Sequence, residues 1–321
     1  MDRVSLSKTK EDAGGIFVID GSMSTALEDL GCDLNNRLWT AKILAEQPEK
    51  VRQVHMDYFE AGADCGITAS YQASIPGLME AGYTEEEAED ILKRSVRIFL
   101  DARDEWVKKH PDRPTPLCLA ACGPYGAYMA DGSEYRGHYG VSAEALRKFH
   151  KRRAELLWES GADILLFETQ PSLEEAKIEA EIAEEMGADY WISFSCMDGT
   201  RTCEGTPIRE CAELFSEGYP HLRMIGVNCT KPEYISSLIR ELKSATDLPI
   251  GVYPNSGETY DPKTKTWTHS AAGENFFGKA AYGWMMDGAS AVGGCCTTVG
   301  KHVRMVKDAR DRYYEAGCPT R

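Results

Sequence analysis

The stretch that decides the fold is Ser160-Gly161-Ala162-Asp163-Ile164-Leu165-Leu166-Phe167-Glu168. It starts with a glycine of the kind that ends a helix in the left-handed conformation. It continues as a short apolar run that ends in a carboxylate. A run of four to six residues that is apolar throughout is typical of a strand buried on both faces. The stretch therefore predicts a helix-to-strand turn followed by a buried parallel strand.

The same turn occurs at three other places in the chain. Its copies are Ala61-Gly62-Ala63-Asp64, Met186-Gly187-Ala188-Asp189 and Asp287-Gly288-Ala289-Ser290. Short apolar runs alternate with amphipathic stretches along the whole sequence, and each run predicts a strand. The eight predicted strands cover residues 16–20, 65–68, 117–122, 164–168, 190–195, 224–228, 250–253 and 291–293.

Helical spacing of apolar residues fills the intervals between these strands. Thr84, followed by Glu86 and Glu87, is predicted to cap the longest helix, and Ser172 to cap a later one. The predicted helices cover residues 48–61, 84–108, 143–160, 172–186, 207–216, 232–245 and 300–316.

Eight strands separated by helices predict an α/β fold, a single (β/α)8 TIM barrel, that forms one domain over residues 14–321. Residues 1–13 form a polar N-terminal tail. A doubly wound open sheet is the alternative, but no glycine-rich phosphate loop follows the first strand, which argues against its dinucleotide-binding version. The longest irregular stretches, 123–141 and 255–274, both follow strands and so belong at the catalytic face of a barrel.

Composition and charge exclude several classes of function. The chain has 321 residues and a net charge of −15, which disfavours binding to nucleic acid and to anionic membranes. No apolar run approaches the ~18 residues of a membrane span, and the polar N-terminus lacks the apolar core of a signal peptide. We therefore expect a cytoplasmic protein. The sequence does not fix the oligomeric state, and a monomer is the working assumption.

Three of the 11 cysteines lie where predicted strands end. Cys229 follows the sixth strand, and Cys295 and Cys296 follow the eighth through Gly293-Gly294. Adjacent side chains of a regular strand point to opposite faces, but the two glycines would let the backbone turn so that both thiolates face inward. Three thiolates can bind Zn²⁺ and leave its fourth position open, as catalytic zinc sites do. The alternative interpretation is three buried thiols without a metal.

Other polar residues also end predicted strands. Glu168 ends the most apolar strand, where a carboxylate is costly to bury without a partner, so we expect it to bind a cationic substrate group. Asp20 either holds a substrate ammonium or caps the next helix. Asn228 either orients the site by hydrogen bonds or closes a turn. Thr68 and Asn255 complete this set of strand-end residues.

Two further groups of residues carry weaker signals of function. His55, His138 and His269 lack a partner motif, so a core or surface role is favoured over zinc ligation. Three tyrosines and a methionine in the loop after the third strand either shape a lid or belong to a solvated loop. They are Tyr125, Tyr128, Tyr135 and Met129.

The chain resembles the homocysteine S-methyltransferase family over residues 15–313. The resemblance rests on Gly226-Val227-Asn228-Cys229 together with Gly293-Gly294-Cys295-Cys296. Four further motifs support it: Asp20-Gly21-Ser22-Met23-Ser24-Thr25, Thr68-Ala69-Ser70-Tyr71-Gln72-Ala73-Ser74, Phe167-Glu168-Thr169 and Tyr253-Pro254-Asn255-Ser256-Gly257.

This resemblance implies a zinc-dependent methyltransferase that converts L-homocysteine to methionine, with Cys229, Cys295 and Cys296 as the zinc ligands. It implies that Asp20 and Glu168 hold the homocysteine amino group and that Thr68 lies close to the substrate. The backbone amides around Ser22 and Met23 are candidates for binding the carboxylate. No catalytic side chain is expected beyond the zinc-activated substrate thiol.

The chain is most similar to the stand-alone family members that use S-methylmethionine, and less well S-adenosylmethionine, as sulfonium methyl donor. Betaine-dependent relatives tend to carry tyrosine after the fourth-strand glutamate, and here that residue is Thr169. The alternatives are a selenocysteine or other thiol methyltransferase, betaine as donor, and a zinc-binding thiol sensor without enzymatic activity. A flavin- or phosphate-dependent barrel is disfavoured, because Gly-Gly-Cys-Cys stands where a phosphate cradle would lie.

Overall fold

A computed structural model describes residues 3–4, 15–257, 259–261, 266–268 and 276–317. Ten strands are present in this part of the chain. They are β1 (Phe17–Val18), β2 (Cys65–Ile67), β3 (Leu117–Cys122), β4 (Ile164–Gln170), β5 (Tyr190–Phe194), β6 (Leu222–Asn228), β7 (Ile250–Tyr253), β8 (Thr259–Asp261), β9 (Thr266–Thr268) and β10 (Ala291–Val292).

Eight of these strands form one parallel sheet in the order β1-β10-β7-β6-β5-β4-β3-β2. A parallel bridge between Ile19 and Cys65 joins the two ends of this order, so the sheet closes on itself. The remaining two strands, β8 and β9, form a separate antiparallel hairpin after β7. The predicted eight-stranded α/β barrel is therefore confirmed, and the open-sheet alternative is wrong.

Helices occupy most of the intervals between the strands. Thr84 caps the longest one, Glu85–Lys109, in a reciprocal arrangement with Glu87, and Ser172 caps Leu173–Met186. The α-helices in the described part of the chain are Met23–Asp29, Thr40–Glu46, Pro48–Ala61, Ile75–Glu80, Glu85–Lys109, Tyr125–Met129, Ala143–Glu159, Leu173–Met186, Ile208–Leu214, Ile235–Lys243, Phe276–Asp287 and Gly300–Glu315.

The repeated turns end helices as predicted. Gly62, Gly161, Gly187 and Gly288 all have positive φ values, between 62° and 114°. A residue with a Cβ is strained in this conformation, which explains why glycine stands at each turn. Each of these turns leads into the next strand of the barrel at its N-terminal end.

The barrel interior is filled by side chains rather than by an open channel. Phe17, Ile19, Leu119, Leu166 and Trp191 belong to an inner cluster that is almost fully buried. A larger cluster lies between the strands and the surrounding helices. This double layer is the packing expected of a TIM barrel, in which chemistry is confined to the C-terminal ends of the strands.

Some local predictions differ from the structure. The predicted helix at 232–245 begins as a 3-10 turn, Pro232–Tyr234, before the α-helix Ile235–Lys243. The loop 123–141 is less irregular than predicted, because it contains the helix Tyr125–Met129 and the 3-10 turn Ser133–Tyr135. The stretch 255–274 is irregular only in part, since it contains the hairpin, and its other residues from 258 onward lie outside the described part of the chain.

Two residues of the N-terminal tail are described, and they pack against the barrel. The Arg3 guanidinium lies 3.6 Å from the centre of the Trp158 ring, and the Val4 amide donates a 2.7 Å hydrogen bond to Asp163. The rest of the predicted tail, apart from these residues, lies outside the described residues. None of the described helices combines the length and the apolarity needed to cross a bilayer.

Candidate metal centre

Three cysteine side chains meet at the C-terminal end of the barrel. The Sγ atom of Cys229, just after β6, lies 2.9 Å from that of Cys295 and 3.5 Å from that of Cys296. All three sulfurs lie within 4.8 Å of one another. Tetrahedral Zn²⁺ with Zn–S bonds of about 2.3 Å requires sulfur atoms about 3.8 Å apart. The group therefore fits one tetrahedral metal ion with small side-chain adjustments.

The backbone turns after β10, and this turn lets two adjacent cysteines face the same point. The Cys295 amide donates to the Pro254 carbonyl at 2.7 Å, and the Thr298 amide donates back to the Cys295 carbonyl at 3.1 Å. Gly293 and Gly294 are needed for close packing. A Cβ on Gly293 would lie 2.6 Å from Ile19, and one on Gly294 2.4 Å from Thr298. Glycine is needed at these two positions because the neighbouring atoms lie so close. It is not needed for a left-handed backbone conformation.

Three non-glycine residues with positive φ surround the centre. They are Thr169 at 61°, Cys229 at 47° and Thr297 at 63°. Each follows a residue of the predicted site: Glu168, Asn228 or Cys296. Left-handed backbone costs energy for residues with a Cβ, and such strain concentrates at functional sites. The chain reverses direction at these points and so aims the preceding side chains at the barrel mouth.

The cysteine cluster shares negative charge. Hydrogen bonds from Cys295 and Cys296 lower the pKa of Cys229 well below the usual thiol value. The same bond to Cys229 raises the pKa of Cys295. A cation at the centre would favour ionisation of all three thiols.

Asp20 and Glu168 are buried beside the cluster. One carboxylate oxygen of Asp20 accepts a 2.8 Å hydrogen bond from the Ile67 amide, while the other is buried and has no partner among the described residues. Burial raises the pKa of Asp20 well above its ordinary value. Burial, reinforced by the charges of Cys229 and Asp20, raises the pKa of Glu168 to about 8. Buried carboxyl groups with raised pKa values are suited to binding a cationic ligand, because the cation would favour their ionised forms.

Asn228 connects the ends of three strands. Its side-chain oxygen accepts hydrogen bonds from the Thr169 amide and the Ser193 hydroxyl, both at 2.8 Å. Its amide nitrogen donates to the Thr169 hydroxyl at 2.8 Å. Because the backbone amide can only donate, the amide orientation is fixed by the network. Asn228 therefore links the backbone that follows Glu168 to the strand end that carries Cys229.

The remaining predicted residues also lie at this end of the barrel. Thr68 accepts from the Ala121 amide at 3.1 Å and so links β2 to β3. The Ser22 amide donates to the Thr298 carbonyl at 2.9 Å, and its side chain caps the helix that starts at Met23. The side-chain oxygen of Asn255 is buried without a partner in the described part of the chain.

The loop after β3 covers the cysteine cluster. The sequence alone left two roles for this loop, a lid or a solvated loop. Tyr135 donates from its hydroxyl to the Cys229 sulfur at 3.5 Å. The preceding Glu134 is largely buried, and burial raises its pKa to about 7. Sequence reasoning noted the aromatic residues of this loop but missed Glu134. Glu134 is identified only by its place beside the contact between Tyr135 and Cys229. No local sequence pattern reveals that place.

The histidines and the other cysteines take structural positions. His55 lies in the core against Phe59 and Phe99, and His138 is exposed, while His269 lies outside the described residues. The ten cysteines of the described ranges are free thiols.

Comparison with known proteins gives a match over almost the whole chain. The family model for homocysteine S-methyltransferase matches residues 17–310. Homocysteine S-methyltransferase YbgG of Bacillus subtilis is 48% identical over 299 residues, which cover 92% of this chain and 94% of that protein. Selenocysteine Se-methyltransferase of Brassica oleracea is 42% identical over 315 residues, covering 94% and 91% of the two chains.

A solved structure shows the same fold with metal. The metallated form of the homocysteine methyltransferase MmuM from Escherichia coli superposes with a TM-score of 0.83 and 38% identity. The match covers 92% of this chain and 96% of that one. The barrel described above is thus similar to that of a protein whose structure holds a metal.

Proposed function

The chain belongs to the homocysteine S-methyltransferase family, and on this premise we propose that it binds Zn²⁺ through Cys229, Cys295 and Cys296 and methylates homocysteine from a sulfonium donor. The observation that carries the proposal is the meeting of three sulfurs within 4.8 Å at the catalytic end of the barrel. Three sulfur ligands favour a soft or borderline metal such as zinc over Mg²⁺ or Ca²⁺.

Homocysteine binding follows from the buried carboxyl groups. We assign its ammonium group to Asp20 and Glu168, because both are buried and Asp20 has an oxygen without a partner among the described residues. An ammonium group between them would favour their ionised forms. The carboxylate remains assigned to the backbone around Ser22 and Met23. The Ser22 amide already bonds the Thr298 carbonyl, so the Met23 amide is the better candidate.

The chemistry requires two sulfur atoms on opposite sides of one methyl group. Zinc held by Cys229, Cys295 and Cys296 would lower the pKa of the homocysteine thiol, which would then be deprotonated at neutral pH with its proton released to solvent. Asp20 and Glu168 orient the acceptor. Asn228 links the backbone that follows Glu168 to the strand end that carries Cys229. The new S–C bond forms as the sulfonium S–C bond breaks, and the donor leaves as a neutral thioether that needs no general acid. Orientation is therefore the main contribution of the protein.

S-Methylmethionine is the proposed donor, with S-adenosylmethionine as a poorer one. Thr169 in place of a tyrosine after Glu168 disfavours betaine. Parallel assays of methionine formation from the three donors test this order. Faster turnover of betaine than of either sulfonium would contradict it. A monomeric, cytoplasmic enzyme remains the working proposal, and light scattering in solution tests the first part.

The decisive experiment replaces one ligand and measures metal and activity together. We expect Cys296→Ala and Cys229→Ser to lose bound zinc and methyl transfer in parallel. Cys211→Ala is the matched control, because this buried thiol lies on the helix Ile208–Leu214, outside the cluster. It should retain both. Full activity in a zinc-free Cys296→Ala protein would refute the proposed centre.

A selenocysteine methyltransferase is the second candidate, and the Brassica relative is the observation that favours it. Both acceptors carry an ammonium group for Asp20 and Glu168, so the site chemistry does not separate them. Competition between homocysteine and selenocysteine for one donor gives the ratio of their kcat/KM values. A higher kcat/KM for selenocysteine would make selenocysteine, and not homocysteine, the preferred acceptor.

A further inference from the structure

The 3-10 turn Ser133–Tyr135 lies over the cysteine cluster. The Tyr135 hydroxyl contacts the Cys229 sulfur, although the residue as a whole is 44% exposed. The Ser195 hydroxyl at the end of β5 donates to the Glu134 carbonyl at 3.2 Å and fixes the turn from below. The turn therefore lies between the metal centre and solvent, on the side from which a second substrate must approach.

The carboxyl group of Glu134 forms no ion pair within 4 Å with the residues that the structure describes. Its Oε2 atom is buried and has no hydrogen-bond partner within the described residues. The neighbouring Arg136 lies 3.3 Å from Asp131 and donates to the Ser133 hydroxyl at 3.0 Å, so its guanidinium is directed elsewhere. A buried carboxylate without a partner is costly, and a cationic ligand removes that cost.

The surroundings place Glu134 in the space next to the cluster. The next residue, Tyr135, contacts the Cys229 sulfur at 3.5 Å, so Glu134 lies near the metal centre. Burial raises the pKa values of Tyr71 and Cys203, and the charges of Glu134 and Cys229 raise them further. Unlike Asp20 and Glu168, Glu134 comes from a loop above the strands.

We propose that Glu134 binds the positively charged methyl donor, a sulfonium amino acid, and so separates donor recognition from the Asp20–Glu168 pair that takes the acceptor. The proposal rests on the function proposed above. The sulfonium loses its charge during transfer, so the carboxylate stabilises the bound donor more than the thioether product. A contact of this kind lowers the KM of the donor and also assists product release.

The test is the steady-state kinetics of Glu134→Gln with each substrate varied in turn. We expect the KM for S-methylmethionine to rise at least tenfold, with the KM for homocysteine and the zinc content within twofold of wild type. Glu233→Gln is the matched control, since Glu233 is an exposed acidic residue four positions after Cys229. It removes the same charge and should change neither KM. An unchanged donor KM in Glu134→Gln would overturn the proposal.

A neutral donor separates charge recognition from damage to the site. Methyl iodide carries no charge, so Glu134→Gln should methylate homocysteine from it at the wild-type rate. Equal losses with methyl iodide and S-methylmethionine would overturn the proposal. If wild type turned over no sulfonium at all, the proposed function would fail. Calorimetry of S-methylmethionine binding to both zinc-loaded proteins would then decide, and equal affinity or no binding to wild type would overturn the role of Glu134.

Discussion

At the scale of single residues, Asn228 determines the geometry of the site more than its position in the sequence suggests. It makes three hydrogen bonds of 2.8 Å to Thr169 and Ser193. Thr169 has a left-handed backbone and directly follows Glu168, while Cys229 directly follows Asn228. One side chain therefore sets the relative position of an acceptor-binding carboxyl and a metal ligand.

We predict that Asn228→Ala lowers the free energy of unfolding by about 2–3 kcal/mol, because it leaves a buried Thr169 amide without an acceptor. We also expect homocysteine binding to weaken by about 1.4 kcal/mol, which corresponds to a rise of about tenfold in its KM. Denaturant unfolding and steady-state kinetics measure the two effects. Ser193→Ala removes only one of the bonds and should cost about 1 kcal/mol. Equal effects of the two variants would contradict this role of Asn228.

The sequence placed the polar residues that terminate strands at one end of the barrel, but it did not predict the contacts of the covering loop. Asp20, Glu168 and Cys229 each follow an apolar run, and parallel strands bring such positions to one end of a barrel. Glu134 and the contact of Tyr135 with Cys229 depend on how a loop folds over that end. Residues 94 positions apart in the chain meet there, and no local periodicity encodes such a meeting.

At the scale of secondary structure, most long helices and buried strands were predicted well, although the helix Phe276–Asp287 was missed. The strands Leu117–Cys122 and Ile250–Tyr253 and the helix Pro48–Ala61 have the predicted limits. Short helices such as Ile75–Glu80 and Tyr125–Met129 were missed. Two turns or fewer give too few residues for a helical period to appear, and tertiary contacts stabilise them instead.

The repeated Gly-Ala-Asp turn has a second part that the sequence did not reveal. Asp163 accepts from the amides of Val4 and Cys118 and lies 2.5 Å from the buried guanidinium of Arg103. Asp64 likewise accepts from the Val18 amide and pairs with Arg310. The aspartate of each of these turns thus fastens the start of a neighbouring strand to a helix at the N-terminal end of the barrel.

We predict that Asp163→Asn destabilises the protein by about 3–5 kcal/mol, because it leaves the buried Arg103 without its counterion. Adding Arg103→Met should recover part of the loss, since the isolated charge is then removed. Urea unfolding of the single and double variants measures the coupling. Asp90→Asn, which breaks half-exposed pairs with Arg94 and Arg97, should cost about 1 kcal/mol or less. Equal costs at the two positions would contradict the prediction.

At the scale of the whole molecule, the two ends of the barrel have different electrostatic properties. The N-terminal end pairs its buried charges internally, as in Arg103–Asp163 and Arg310–Asp64. The C-terminal end leaves oxygen atoms of Asp20 and Glu134 without partners among the described residues, next to three thiols. Stability and chemistry are thus separated along the barrel axis, as expected for this fold. Asp163→Asn should accordingly retain the homocysteine KM of wild type under conditions in which it stays folded.

One buried titratable group makes the stability of the whole fold depend on pH. His55 is fully buried against Phe59 and Phe99, and neither ring nitrogen has a partner in the described part of the chain. Burial lowers its pKa to about 3, whereas an unfolded histidine titrates near 6.5. Below that value the unfolded state takes up a proton that the folded state does not, so folding weakens as the pH falls.

We predict that His55→Phe removes this loss. Between about pH 6.5 and pH 3 the free energy of unfolding of wild type should fall, relative to the variant, by about 1.4 kcal/mol per pH unit. The difference therefore reaches about 3 kcal/mol at pH 4.5 and disappears above pH 7 apart from a constant packing term. Urea unfolding of both proteins at four pH values measures it. Phe59→Leu perturbs the same core without a titratable group and should shift stability equally at every pH. Parallel stability curves for wild type and His55→Phe would show that His55 is protonated in the folded protein or that the fold opens around it, and either result would contradict the buried neutral ring.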